Sequence, residues 1–134
     1  MNVLYEEEGS FKVGTVLAET DASMQIEAAS GKRVKVKRAH VLLDFKEGGL
    51  ADFLERANAA AGEIEVDFLW EVCGADEFGF ADLAADYFGR APAPVEAASV
   101  LLRLQSAPVY FHRKGRGRFR AAPEETLKAA LAGL

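Results

Sequence analysis

Along the first third of the chain the hydrophobic positions recur in steps of two. Met24, Ile26 and Ala28 alternate with Gln25 and Glu27, and Val34 and Val36 alternate with Arg33, Lys35 and Lys37. A period of two places the apolar set on one face of a strand and the charges on the other. Phe11 to Glu19 reads as a longer strand in which Gly14 is expected to mark a bulge. Turn chemistry separates these runs at Glu8-Gly9-Ser10, Thr20-Asp21-Ala22-Ser23 and Ser30-Gly31-Lys32. With Val3-Leu4-Tyr5 before and Val41-Leu42-Leu43-Asp44-Phe45 after, about five short sequential strands predict a small SH3-like β-barrel or curled sheet over residues 1–47.

At Gly48-Gly49 the period lengthens to that of a helix. Leu50, Phe53, Leu54, Ala57 and Ala61 share one face, and Gly62 is a natural stop. A second helix is expected from Ile64 to Cys73 before Gly74. A third, Gly79 to Phe88, carries Phe80, Leu83, Ala84 and Tyr87 on one face and closes at Gly89. After the turn Gly89-Arg90-Ala91-Pro92-Ala93, Pro94 suits the start of a fourth helix reaching about Ser106. Its inward face is Ala97, Ala98, Leu101 and Leu104; Glu96, Ser99, Arg103 and Ser106 are expected to point outward. The β-rich run Pro108-Val109-Tyr110-Phe111-His112, a basic glycine turn and Arg118-Phe119-Arg120-Ala121 predict a hairpin. Pro123-Glu124-Glu125 opens a last helix carrying Leu127, Ala130, Leu131 and Leu134, its acids suiting the helix dipole. Helices, a short turn, a further helix and a two-stranded hairpin follow the order of a winged helix-turn-helix. The expected fold class is therefore α+β: a small SH3-like β-barrel over 1–47, then a winged-helix domain over 48–134 whose wing is 109–121.

The 134 residues suffice for one ordinary domain or two very small ones, and with half of them hydrophobic a core can be buried. No apolar run reaches the length of a membrane span and no basic-then-apolar leader opens the chain, which points to the cytosol. Cys73 is alone, so no internal disulfide forms, and its apolar neighbours favour a buried thiol over a nucleophile.

Charge changes the picture. Net charge is −5, yet His112 to Arg120 holds five permanent cations and no acid. No Asp or Glu occurs from Ala97 to Pro123, while the chain outside 103–120 carries ten Lys/Arg against twenty-one Asp/Glu. Cations gathered against such a background fit a polyanionic partner, phosphate backbone above all, although a solvated hairpin has the same composition. Arg113, Lys114, Arg116, Arg118 and Arg120, with His112 beside them and Arg103 on the fourth helix, are the candidate nucleic-acid contacts. Gly115 and Gly117 let backbone approach a phosphate. Tyr110, Phe111 and Phe119 are read either as stacking rings or as core. One cation and one carboxylate on the outer face of the fourth helix make a poor reader of base edges. A second cluster, Lys32, Arg33, Lys35, Lys37 and Arg38, puts Arg33, Lys35 and Lys37 on one strand face, either against nucleic acid or guarding a sheet edge.

Candidates for chemistry are thin. Glu6-Glu7-Glu8 reads as a solvated turn. Asp82 and Asp86, four apart on a helix, read as an acidic stripe or a link to Arg90 rather than a Mg²⁺ site. His40 and His112 make no case, and no zinc motif, phosphate loop or nucleophile elbow is present. No catalytic or metal-binding residue is assigned, and no cofactor is expected within the chain.

The opening Met1-Asn2-Val3-Leu4-Tyr5-Glu6-Glu7-Glu8-Gly9-Ser10-Phe11-Lys12-Val13-Gly14-Thr15-Val16, the run Ser30-Gly31-Lys32-Arg33-Val34-Lys35-Val36-Lys37 and Phe80-Ala81-Asp82-Leu83-Ala84-Ala85-Asp86-Tyr87-Phe88 resemble the N-terminal region of bacterial ribonuclease II-type exoribonucleases, the RNB family. The resemblance runs over nearly the whole chain. It implies a part of an enzyme that hydrolyses single-stranded RNA from the 3′ end, with Mg²⁺ held by aspartates in a central domain. No residue here matches that aspartate motif. The chain is then expected to continue past Leu134 into the nuclease domain and to guide RNA toward it without catalysing. Many relatives begin with cold-shock barrels, a departure that leaves the RNA-contacting strands unassigned. The rivals are a DNA-binding winged-helix regulator and a module whose wing meets an acidic protein.

Overall fold

The computed structural model describes residues 1–46 and 48–133. It is an α+β fold that divides into two compact units, Met1–Arg56 and Ala57–Leu134. The division falls inside helix α1 (Leu50–Gly62). Glu47, at the boundary expected from the pattern, and Leu134, expected inside the last helix, lie outside the described residues.

In the first unit the alternating segments become β1 (Asn2–Glu7), β2 (Ser10–Glu19), β3 (Ser23–Glu27), β4 (Arg33–Lys37) and β5 (Val41–Phe45). They form one antiparallel sheet in the order β4-β3-β2-β1-β5, with a 3₁₀ turn, Arg38–His40, leading into β5. Val3, Tyr5, Met24, Ile26 and Val36 make its buried cluster, against which Val16, Val34 and Val41 pack. Phe45 stacks on Phe53 of α1 at 3.7 Å. No ladder joins β4 to β5 among the described residues, so hydrogen bonds do not close the expected barrel.

Two local expectations change. Gly14 is not the bulge: the register slips between Val16 and Ala18, at the half-exposed Leu17. Gly14 is glycine because a Cβ there would lie 2.1 Å from Ile26 Cγ2. Glu6 belongs to β1 and is buried, whereas Glu8, at φ 51°, joins Gly9, at φ 78°, in the two-residue turn closed by Glu7 and Ser10. That pair of left-handed residues has the handedness that twisted hairpins favour.

The second unit holds α2 (Val66–Val72), β6 (Phe78–Gly79), α3 (Phe80–Phe88), α4 (Pro94–Ser106), β7 (Phe111–Gly115), β8 (Arg118–Ala121) and α5 (Glu124–Ala132). The helices lie where the apolar period places them, and α3 ends on Gly89 at φ 73°. The short strand β6 was not expected. It pairs with β8 to make a three-stranded sheet in the order β6-β8-β7. Helix α3 packs on α4, around a core that includes Leu69, Phe80, Leu83, Leu101, Leu104 and Leu127. In α5 Leu127 is buried, while Ala130 and Leu131 are exposed.

Candidate nucleic-acid interface

The basic segment folds as the β7–β8 hairpin. His112 stands opposite Arg120 and Arg113 opposite Phe119, and the register slips at Lys114 before Gly115 meets Arg118. Period two therefore puts Phe119 on the inner face, while Arg118 and Arg120 share the outer one. Arg116 and Gly117 form the turn, which only the left-handed φ of 66° at Gly117 allows to be so tight. Gly117 is buried, and its carbonyl accepts the Phe80 N–H at 2.9 Å, tying the turn to the first residue of α3.

The five cations of the hairpin are not equivalent. Arg113, Lys114 and Arg116 are exposed along the bulge and the turn. The side chains of Lys114 and Arg116 make no hydrogen bond or ion pair within the described residues. Arg118 Nε, in contrast, donates to Glu77 Oε2 at 2.5 Å, and Arg120 Nε donates to the Ala75 carbonyl at 3.0 Å. The segment before β6 thus lies on the outer face of the hairpin. Both partners escaped sequence reasoning, since they stand 41 and 45 residues away and no local signal points to them.

Two of the three candidate rings turn inward and Tyr110 stays partly exposed. Phe111 and Phe119 are almost fully buried, so they serve as core and are closed to bases. Tyr110 gives its hydroxyl to Asp67, whose carboxylate pushes the phenol above its ordinary value.

Helix α4 is occupied nearly all round. Residues 97 to 101 are buried without a break, Ser99 among them, and Ser99 satisfies its hydroxyl on the Glu96 carbonyl at 2.7 Å. Ser99 therefore lies inside, not on the outward face that its position predicts. Glu96 binds Arg90 through two oxygens, at 2.7 and 2.5 Å, and accepts the Ala93 N–H at 2.9 Å. Ala93 has no side-chain acceptor to return the cap, so Glu96 alone holds this helix start. The Arg90 hydrogen bonds, then the backbone N–H, keep the Glu96 carboxyl below its usual range. Arg90 therefore answers Glu96 and not the acidic stripe of α3. Arg103 Nε caps the Ile64 carbonyl at 2.9 Å, which holds its guanidinium within the unit.

In the first unit, Arg33, Lys35 and Lys37 do share the outer face of β4, which is an edge strand. Arg33 pairs with Glu27 across β3 at 3.3 Å in an exposed geometry. Arg38 is held by the Thr20 carbonyl at 2.8 Å and by Glu19 at 3.3 Å. Lys35 and Lys37 are exposed.

Cys73 donates to the Leu69 carbonyl at 3.4 Å, and burial, with Asp86 nearby, pushes its thiol up to about 11. Among the described residues no three His, Cys, Asp or Glu side chains gather as a metal site, and no helix is long and apolar enough to cross a membrane. No protein-family model, curated protein or solved structure matches the chain.

Proposed function

We propose that this chain is the RNA-binding N-terminal module of a ribonuclease II-like 3′-to-5′ exoribonuclease, non-catalytic in itself, which guides single-stranded RNA to a Mg²⁺-dependent nuclease domain elsewhere in the protein. The observation that carries the reading is a hairpin with exposed cations at its tip and its aromatic rings turned into the core. Such a hairpin grips phosphate and does not read bases, as a guide for RNA of any sequence requires. The resemblance of residues 1–16, 30–37 and 80–88 to the RNB family supplies the enzyme.

In this reading the second unit is a winged helix. Helix, short strand, two packed helices and a hairpin, with the first strand pairing to the last, support it. The first unit is then an SH3-like sheet, supported by the meander and the 3₁₀ turn before a strand that returns to β1. The same winged helix favours a DNA-binding regulator as the second reading. Against that stands α4, whose Glu96 and Arg103 are engaged and whose middle is buried. A recognition helix presents free side chains to the major groove.

Titrating a labelled single-stranded RNA and a duplex DNA at two salt concentrations separates the two. The expected result is stronger binding of the single strand, indifferent to sequence and weakened steeply by salt. Tighter, sequence-dependent binding of duplex that survives high salt overturns the proposal in favour of the regulator. Binding of neither overturns both.

A further inference from the structure

The outer face of the hairpin already holds a carboxylate where a phosphate would sit. Glu77 Oε2 lies 2.5 Å from Arg118 Nε, and the side chains of this pair are about half exposed. The guanidinium lies along β6: a Cβ added at Gly79 would be 3.4 Å from an Arg118 terminal nitrogen and 3.7 Å from Asp82 Oδ2. Arg118 thus has the Glu77 carboxylate on it, with its guanidinium running beside Gly79 at the start of α3. The carboxylate comes from residues 74–77, all exposed, and within them Arg120 is bound by a carbonyl. A carboxylate and a phosphate oxygen make the same charge-assisted bond to a guanidinium, and Arg prefers whichever is better placed.

We propose that Glu77 is an intramolecular competitor for the phosphate backbone at Arg118, a built-in counterion that divides the hairpin into a tip open to RNA and an outer face admitted only when Glu77 gives way. This rests on the RNA-binding reading above and names the regulation of that same site. An exposed ion pair is weak enough for a polyanion to displace, since it is worth a factor of a few in an equilibrium constant. Release of Glu77 costs no strand pairing, because β6 begins at Phe78, opposite Phe119.

The test is a double-mutant cycle of Glu77→Gln and Arg118→Ala on the whole chain, using an unstructured oligouridylate and fluorescence anisotropy over a range of salt. Glu77→Gln is expected to tighten binding about threefold and to steepen the logarithmic salt dependence by about 0.7, one further phosphate contact on a single strand. Arg118→Ala should change wild-type affinity little but abolish the Glu77→Gln gain. Unchanged affinity and slope in Glu77→Gln, with wild type binding and Arg116→Ala weakening it, overturn the competitor and leave the RNA-binding reading intact. Binding by Glu77→Gln alone supports the competitor strongly. Failure of both wild type and Glu77→Gln to bind overturns both readings. Circular dichroism of each variant separates a lost fold from a lost contact.

Discussion

Gly14 and Cys73 are residues whose surroundings fix their behaviour. At Gly14 the added methyl of an alanine would overlap Ile26 Cγ2 and press on the Glu27 carbonyl 3.1 Å away. Ile26 is fully buried and cannot swing aside. Gly14→Ala should therefore destabilise the protein by about 2–3 kcal/mol, the usual cost of overpacking a closed core, as read from urea unfolding. An unchanged midpoint would mean that the β2–β3 spacing is looser than described. At Cys73 a thiol pushed up to about 11 has roughly a thousandth of its population as thiolate at pH 8. Alkylation by iodoacetamide at that pH should run at least about 100-fold slower in the folded protein than in urea. Equal rates would show an open, reactive sulfur. The apolar run around Cys73 predicts a buried thiol, and the sulfur is half-buried, near Asp86, which no local pattern places there. Ser99 misled because a hydroxyl that bonds back to its own helix can be buried at little cost.

The start of α4 is the element where charge and geometry meet. Glu96 holds Arg90 and the Ala93 N–H together, and its carboxyl lies below the usual range because both stabilise the ionised form. A carboxylate depressed in the folded state contributes stability that is present above its unfolded value and is lost as pH falls through the folded one. Wild type should then lose more stability than Glu96→Gln as the pH drops from about 5 to below the usual carboxylate range. Thermal melts of both proteins over that interval check it, and parallel curves would sink the assignment. Elements of this size were legible: every helix falls within a few residues of its apolar period, and β3 and β4 follow their alternation. The strand β6 was not, since two residues carry no period. Nor was the bulge at Leu17, where the glycine signal at Gly14 came from a close approach of side chain instead.

Across the molecule, acids outnumber bases, and exposed cations cluster at the tip of the β7–β8 hairpin and along the edge strand β4. On the RNA-binding reading, Lys114→Ala with Arg116→Ala should weaken single-stranded RNA uniformly across sequences and lower the salt slope by about 1.4, two phosphate contacts. Loss of preference for one sequence, with the slope unchanged, would point to base reading. The sequence made the cations plain, and their clustering alone marked the candidate site. It did not reveal how they divide, because Glu77, Ala75 and Ile64 meet their arginines only through the tertiary fold.

The bond from the Phe80 N–H to the Gly117 carbonyl gives that division a thermodynamic consequence. It anchors the hairpin turn to α3, so the tip is already ordered before any ligand arrives. On the RNA-binding reading, association there has little conformational freedom left to surrender and little apolar surface to cover, and is driven by the entropy of released counterions. Calorimetry of RNA association should accordingly find a heat-capacity change close to zero. A large negative value would mean instead that part of the chain folds around the strand.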